Sequence, residues 1–216
     1  MRETFTHRIE SLEQLETELR PIAGYPGKLA DSKMKDRLDE HAIGWIAKSP
    51  FVMMATSDDQ GRCDVSPRGD APGFVHVVDE RHLFLPERPG NRRWDSIRNL
   101  LTNPGIGLIF LIPGVEETFR VNGRGVVTRD PALLEATAVQ GKLPLMGIGV
   151  EIDECYLHCA KAFKRSGLWR PDTWLEAGDR PSVSELLVAH CRTAMPEVTL
   201  GEVEASLQES YTKRLY

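Results

Sequence analysis

The segment Leu85–Ser96 contains the residues best suited to binding a ligand. It leaves an apolar run, turns at Pro89-Gly90 and enters a predicted helix. The first turns of that helix carry the polar side chains of Asn91, Arg92, Arg93 and Ser96. Free amides at a helix start favour an anion, and arginine and hydroxyl groups add charge-assisted hydrogen bonds. The pattern fits a phosphate site and a ligand-free capped loop about equally well.

A second segment, Cys155–Trp169, combines two thiols with a histidine. A metal site would use Cys155, His158 and Cys159, but the spacing is compressed and no second ligand pair follows elsewhere, so zinc is not favoured. A Cys159 nucleophile activated by His158 is the other chemical interpretation. Adjacent side chains rarely orient for that chemistry, and a buried thiol is more common. We therefore predict no metal site and assign no catalytic residue.

Three other side chains allow two interpretations each. Arg68 and Asp70, between two predicted strands, either pair with each other or leave Arg68 free to project into a pocket at a barrel mouth. Trp169 either packs inside the protein or, with Lys161 and Arg165 nearby, flanks an aromatic anion. The residues alone leave both choices open.

Charge and motifs exclude several classes of function. The 216 residues carry 27 Lys+Arg and 32 Asp+Glu, a formal net charge of −5. Residues 81–98 hold five arginines against two acids, and residues 161–170 hold four cations and no acid, which leaves −12 for the rest. Overall acidity argues against nucleic-acid binding, and two compact basic segments suit a small anion. GxGxxG, GxxxxGK[ST], GxSxG and HExxH are missing, so Rossmann, P-loop, serine-hydrolase and zincin chemistry lack support.

Hydrophobic periodicity predicts which elements position these residues. Apolar residues from Ile9 to Leu19 predict a helix that breaks at Pro21, and a second helical pattern runs from Met34 to Ile46. The expected strands cover 51–56, 62–66, 74–78, 83–85, 106–112, 118–128 and 148–157, with helices at 91–102, from 131 and after 181. Glycines in 118–128 indicate a bulge or a close backbone approach. Ser182 and Thr199 each begin a predicted capping box.

This order of elements predicts a mainly β (α+β) protein with an antiparallel barrel or sandwich. We expect one compact domain made of an N-terminal helical extension (1–48), a barrel (49–174) and a C-terminal helical extension (175–216). The longest apolar run is too short for a membrane helix. The polar N-terminus resembles neither a signal nor a transit peptide, and four cysteines do not form a disulfide framework. A cytoplasmic protein that binds no membrane is expected.

From about Ile43 to Trp174 the sequence resembles the pyridoxamine 5′-phosphate oxidase-related family of FMN-binding split-barrel proteins. The matching motifs, in order, are Val65-Ser-Pro-Arg-Gly-Asp70, Pro72-Gly-Phe74, Pro86-Glu-Arg-Pro-Gly-Asn-Arg93, Asp95-Ser96, Val121-Asn-Gly-Arg124, His158-Cys-Ala-Lys-Ala-Phe-Lys-Arg-Ser166 and Leu168-Trp169. The resemblance implies a six-stranded antiparallel split barrel that forms a homodimer, with one FMN in each of two sites at the subunit interface.

The resemblance also implies residue roles. It assigns the FMN phosphate or ribityl chain to Arg88, Asn91, Arg92, Arg93 and Ser96, with Asp95 fixing the arginines. Arg68, Pro86 and Glu87 would lie near the isoalloxazine, and Thr118 occupies the place where the oxidase has a glutamine facing the ring. The partner subunit would close over the flavin with Lys161, Arg165, Ser166 and Trp169.

One departure from the family pattern affects the expected substrate. The oxidase carries an Arg-x-His motif near its C-terminus that grips pyridoxal, whereas Glu209–Tyr216 here has no such motif. We therefore expect an FMN-dependent oxidoreductase with hydride transfer at flavin N5, a small-molecule substrate or NAD(P)H as partner, and no pyridoxamine phosphate oxidase activity. The alternative is a non-catalytic flavin, haem or deazaflavin carrier or sensor on the same barrel, with His76, His82 or His158 as haem ligands.

Overall fold

The computed structural model describes residues 4–216, and the chain divides into two units, the first ending at Met34 and the second covering Lys35–Tyr216. Residues 1–3 of the predicted N-terminal extension lie outside the described residues. The first unit consists of α1 (Leu12–Gln14), a π-helical turn (Leu15–Leu19), α2 (Arg20–Ala23) and α3 (Lys28–Asp31). Ser11 caps α1 by accepting a hydrogen bond from the amide of Gln14.

The expected break at Pro21 is wrong. The helical path continues through Pro21 to Ala23 and ends at Gly24, whose φ of 78° is in the left-handed region. Pro21 occupies the first turn of α2, directly after the π-helical turn. A proline is tolerated at that position because its missing N–H has no intrahelical partner to lose.

The second expected helix, Met34–Ile46, begins six residues late. Lys35 instead pairs in extended form with Cys155, its amide donating to the Cys155 carbonyl at 3.0 Å and its carbonyl accepting at 2.7 Å. The helix α4 (Glu40–Ile46) starts after Asp39, whose carboxylate accepts from the Ala42 amide. Pairing with the sheet therefore overrides the helical periodicity of this segment.

The second unit is built on one antiparallel sheet with flanking helices, in the order β2-β1-β5-β6-β7-β4-β3. The strands are β1 (Phe51–Ser57), β2 (Cys63–Gly69), β3 (His76–Val77), β4 (His82–Pro86), β5 (Gly105–Leu111), β6 (Thr118–Thr128) and β7 (Gly147–His158). All neighbouring strands pair antiparallel. The predicted mainly β split-barrel fold class is confirmed, and β2 and β3 differ most from their predicted bounds.

Side chains that alternate along the central strands form the core. Val52 and Met54 on β1 and Leu108 and Phe110 on β5 are fully buried, as is Val121 on β6. The residues between them on β1 and β5 face the other side of the sheet and are partly exposed or exposed. This period of two is the pattern expected when one face of a sheet covers a core.

A bulge interrupts the longest strand pair where the sequence predicted it. The β6–β7 register shifts between Asn122 and Gly123. A Cβ atom at Gly123 would lie 2.0 Å from the carbonyl oxygen of Glu151, so only glycine allows the two backbones to approach this closely.

The remaining helices are short except the last. They are α5 (Asp95–Leu100), α6 (Pro131–Ala136), α7 (Lys161–Ser166), α8 (Val183–Cys191) and α9 (Leu200–Lys213), with 3-10 turns at Pro171–Thr173 and Ala177–Asp179. Thr199 and Glu202 form the predicted capping box, and Ser182 accepts from the Glu185 amide. Among residues 4–216, no helix is long and apolar enough to span a membrane.

Candidate functional site

A cavity of about 460 Å³ opens where β2, the residues after β4 and the start of α5 meet. Its lining comprises residues 64–69, Phe74 and residues 86–96. The volume lies in the range of about 300–1,000 Å³ that is typical of small-molecule sites. Four arginines contribute to the lining, namely Arg68, Arg88, Arg92 and Arg93.

Side-chain contacts join the edge strand β2 to the segment that follows β4. The Arg68 guanidinium forms an ion pair with Glu87, and both side chains are mostly buried. The Arg68 Nε also donates to the Ser66 hydroxyl at 3.3 Å, and Ser66 lies 3.2 Å from the Ser96 hydroxyl. The cavity is therefore a closed seam between strands that lie far apart in the sheet order.

Arg88 is held by a buried carboxylate. Its Nε donates to Asp70 Oδ2 at 2.6 Å, and the Asp70 side chain is only 2% exposed. The interpretation in which Arg68 and Asp70 pair with each other is wrong, because each has a partner after β4. The second interpretation holds, since Arg68 lines the cavity.

The loop Asn91–Trp94 has an unusual backbone. Arg92 has a φ of 60° and Trp94 a φ of 56°, in the left-handed region that non-glycine residues seldom adopt. Such a residue costs roughly 1–3 kcal/mol and is concentrated at ligand-binding and active sites. The expected helix over 91–102 is correspondingly shorter, because these left-handed residues keep 91–94 out of α5.

The cavity brings together nine of the fourteen residues that the sequence marked. These nine are Arg68, Pro86, Glu87, Arg88, Asn91, Arg92, Arg93, Asp95 and Ser96. Asp95 binds the Nε of Arg93 at 2.9 Å, and Asn91 accepts from the Arg93 amide at 3.0 Å. Arg92 makes no hydrogen bond or ion pair with the residues that the structure describes.

The other five marked residues do not line this cavity. They are Thr118, Lys161, Arg165, Ser166 and Trp169. The segment containing α7 is attached to the β5–β6 turn: the Trp169 indole donates to the Val115 carbonyl at 2.9 Å, and Lys164 pairs with Glu116. Trp169 also stacks on Phe163 with ring centroids 5.8 Å apart.

The β6–β7 ladder separates the two basic segments within one chain. Pro86 pairs with Gly147 at the start of β7, while Thr118 pairs with His158 at its end. A strand of twelve residues spans up to about 36 Å. The α7 helix therefore follows the end of β7 that is remote from Pro86.

Sequence reasoning missed several residues that belong to the site. Ser66, Phe74 and Trp94 line the cavity, and the Tyr216 hydroxyl donates to Asp70 Oδ1 at 2.5 Å. Alternation along β2 places Ser66 on the same side as Arg68, which was a usable signal. Nothing in the local sequence connects Tyr216 with Asp70, which lies 146 positions earlier.

The cysteine segment forms no catalytic or metal cluster. Across residues 4–216, no group of three or more His, Cys, Asp or Glu side chains is arranged to hold a metal ion. Cys155 is buried, and burial raises the pKa of its thiol to about 11, so it stays protonated at neutral pH. Cys159 is exposed.

The lining of the cavity matches a phosphorylated ligand with a planar ring. Arg88 uses only its Nε in contacts with described residues, so its terminal N–H groups and the whole Arg92 guanidinium can bind an anion. Pro67, Phe74, Pro86 and Trp94 add apolar surface to the same cavity. Both parts of FMN, the phosphate and the ring system, therefore find suitable groups.

Comparisons with solved structures give matches of low identity to compact proteins. HupZ of Group A Streptococcus is 15% identical, with 56% of this chain and 98% of that chain covered and a TM-score of 0.46. The haem storage protein HutZ of Vibrio cholerae is 15% identical, with 56% and 94% covered and a TM-score of 0.37. An FAD-binding protein from Mycobacterium smegmatis is 15% identical, with 57% and 97% covered and a TM-score of 0.39.

The family is established by sequence over more than half of the chain. No protein of curated function matches it. The family model described as pyridoxamine 5′-phosphate oxidase, however, matches residues 38–159, a range that contains β1 to β6, nearly all of β7 and the whole cavity lining. The chain belongs to the pyridoxamine 5′-phosphate oxidase family.

Proposed function

We propose that this protein binds FMN in the cavity and acts as an FMN-dependent oxidoreductase. The observation that carries the proposal is that Arg88 and Arg92 line one cavity with guanidinium N–H groups that no described residue engages. Arginine binds phosphate through a planar fork of donors, and this is the residue type that a phosphate site needs.

We assign the phosphate end of FMN to the loop after β4. Arg88 and Arg92 supply positive charge, and Arg93 is oriented by Asp95. Asn91 and the buried Ser96 supply neutral polar groups for the ribityl chain. The left-handed residues Arg92 and Trp94 shape this loop, and binding a dianion would offset the cost of that backbone.

We assign the ring of FMN to the region of Arg68, Pro86 and Glu87. Bound FMN supplies hydride transfer at its N5 atom. Glu87 and Ser66 orient the Arg68 guanidinium, which holds a positive charge in a mostly buried setting. A fixed positive charge beside the ring favours electron uptake.

A homodimer would complete the site. Thr118 and α7 lie beyond the cavity of their own chain, so we assign the contacts of Thr118, Lys161, Arg165, Ser166 and Trp169 to a second copy. The outer face of the sheet supports such pairing, because the partly exposed side chains of Met53 and Ile109 lie opposite each other in the β1–β5 register.

A direct experiment is to add FMN to the purified protein, remove free flavin and record the visible absorbance. We expect retained flavin bands that bleach on anaerobic addition of NADH or NADPH. Retained FMN that neither nucleotide reduces would favour a carrier or sensor. Failure to retain FMN at micromolar protein would contradict the proposal. A haem carrier has less support because no histidine lines the cavity in residues 4–216.

Replacing Arg92 with alanine is expected to weaken FMN binding about tenfold, the effect of losing one hydrogen bond between charged groups. Fluorescence titration with FMN measures this, and riboflavin, which lacks the phosphate, should bind wild type and variant alike. Arg192→Ala is the matched control, because Arg192 is exposed at the end of α8, away from the residues that line the cavity. Equal FMN affinity in Arg92→Ala and wild type would remove Arg92 from the phosphate site.

A further inference from the structure

Tyr216 is anchored next to the candidate site by two polar contacts. Its hydroxyl donates to Asp70 Oδ1 at 2.5 Å, and its backbone oxygen accepts from the Lys142 ammonium at 3.0 Å. The segment after α9 therefore returns to the barrel and places the phenol on the carboxylate behind the cavity wall. Tyr216 itself does not line the cavity.

Asp70 receives donors on both of its oxygens. Oδ2 accepts from Arg88, while Oδ1 accepts from Tyr216 and from the Ala71 amide at 2.8 Å. Burial alone would raise the pKa of Asp70, but the hydrogen bonds from Tyr216, Ala71 and Arg88 outweigh it and lower the pKa. The carboxylate is therefore charged at neutral pH and fixed at both oxygens.

Arg88 is fixed in turn by that carboxylate. Its Nε is occupied by Asp70 Oδ2, and its side chain is mostly buried. The guanidinium is planar, so fixing the Nε also fixes the plane of the two terminal nitrogens. The direction in which Arg88 presents them to the cavity thus depends on how firmly Asp70 is held.

We infer that Tyr216 is a positioning residue that acts through Asp70 to orient Arg88 for the ligand phosphate. The inference rests on the proposed function and goes beyond it, because it makes a residue far along the chain part of the phosphate selectivity. Without the phenol, Asp70 Oδ1 keeps a single donor, and rotation of the carboxylate loosens the contact that sets the Arg88 plane.

The test compares FMN and riboflavin affinities in Tyr216→Phe, which removes only the hydroxyl. We expect FMN to bind about fivefold more weakly, the effect of one net hydrogen bond, and riboflavin to change less than about twofold. In an Arg88→Lys background, which lacks the planar fork, Tyr216→Phe should change FMN affinity less than about twofold. Tyr211→Phe on the exposed face of α9 is the matched control.

Each other outcome overturns the inference in a recognisable way. Unchanged FMN affinity in Tyr216→Phe, while wild type binds FMN, rejects the role of Tyr216 and leaves the proposed function intact. An equal loss for FMN and riboflavin, or an undiminished effect in the Arg88→Lys background, indicates general loosening of the site. Wild-type protein that binds no FMN rejects the proposed function itself.

Discussion

Replacing Arg88 with alanine is expected to lower the free energy of unfolding by about 3 kcal/mol. The substitution removes the ion-pair partner of Asp70, whose side chain is 2% exposed, and leaves a buried carboxylate without a cation. Breaking a buried pair on one side costs about 3–5 kcal/mol. We expect the lower end of that range because Tyr216 and Ala71 still donate to Asp70.

Urea unfolding of the FMN-free protein measures this loss without any contribution from ligand binding. Arg93→Ala is the matched control: Arg93 also pairs with an aspartate, Asp95, but its side chain is 71% exposed. An exposed pair contributes about 0–1 kcal/mol, so the control should stay within that range. If both variants lose the same stability, burial of the Asp70–Arg88 pair has no energetic consequence.

Replacing Gly147 with alanine is expected to cost about 3 kcal/mol or more. A Cβ atom there would lie 2.2 Å from Phe84 Cζ and 2.7 Å from the Leu85 carbonyl oxygen. Phe84 is completely buried, and the carbonyl belongs to the β4 backbone, so neither can move aside easily. Because Gly147 pairs with Pro86, relief of the clash would also displace a wall of the cavity.

Thermal or urea unfolding detects the expected loss, and FMN affinity should fall with it. Gly149→Ala, two positions along the same strand, is the control. Its Cβ would lie 3.2 Å from a methyl group of Val126, which is exposed and able to shift. Gly147→Ala with the stability of Gly149→Ala would mean that β4 and β7 separate at little cost.

Predictions from sequence were most accurate where local patterns act alone. Alternation over Thr118–Thr128 predicted the exact bounds of β6, and the glycines within it indicated the bulge at Gly123. The Thr199–Glu202 capping box also forms as expected. In each case the determining interactions involve neighbouring residues or a strand period that the sequence displays directly.

Predictions were wrong where distant partners compete with local preference. Lys35 joins Cys155 in an extended bridge although its segment has helical periodicity. Residues 91–94 lie outside α5 because Arg92 and Trp94 take left-handed conformations that no residue-type preference indicates. Asp70 pairs with Arg88 rather than with its near neighbour Arg68.

The sequence by itself determined the family, the antiparallel split barrel and the segments that carry the arginines, because these depend on composition, periodicity and motif order. Only the tertiary structure decided which charges pair and which guanidinium groups are left for a ligand. Pairing across the seam depends on the curvature that brings β2 to the end of β4. It also depends on the return of Tyr216 to Asp70, and neither contact is encoded by spacing along the chain.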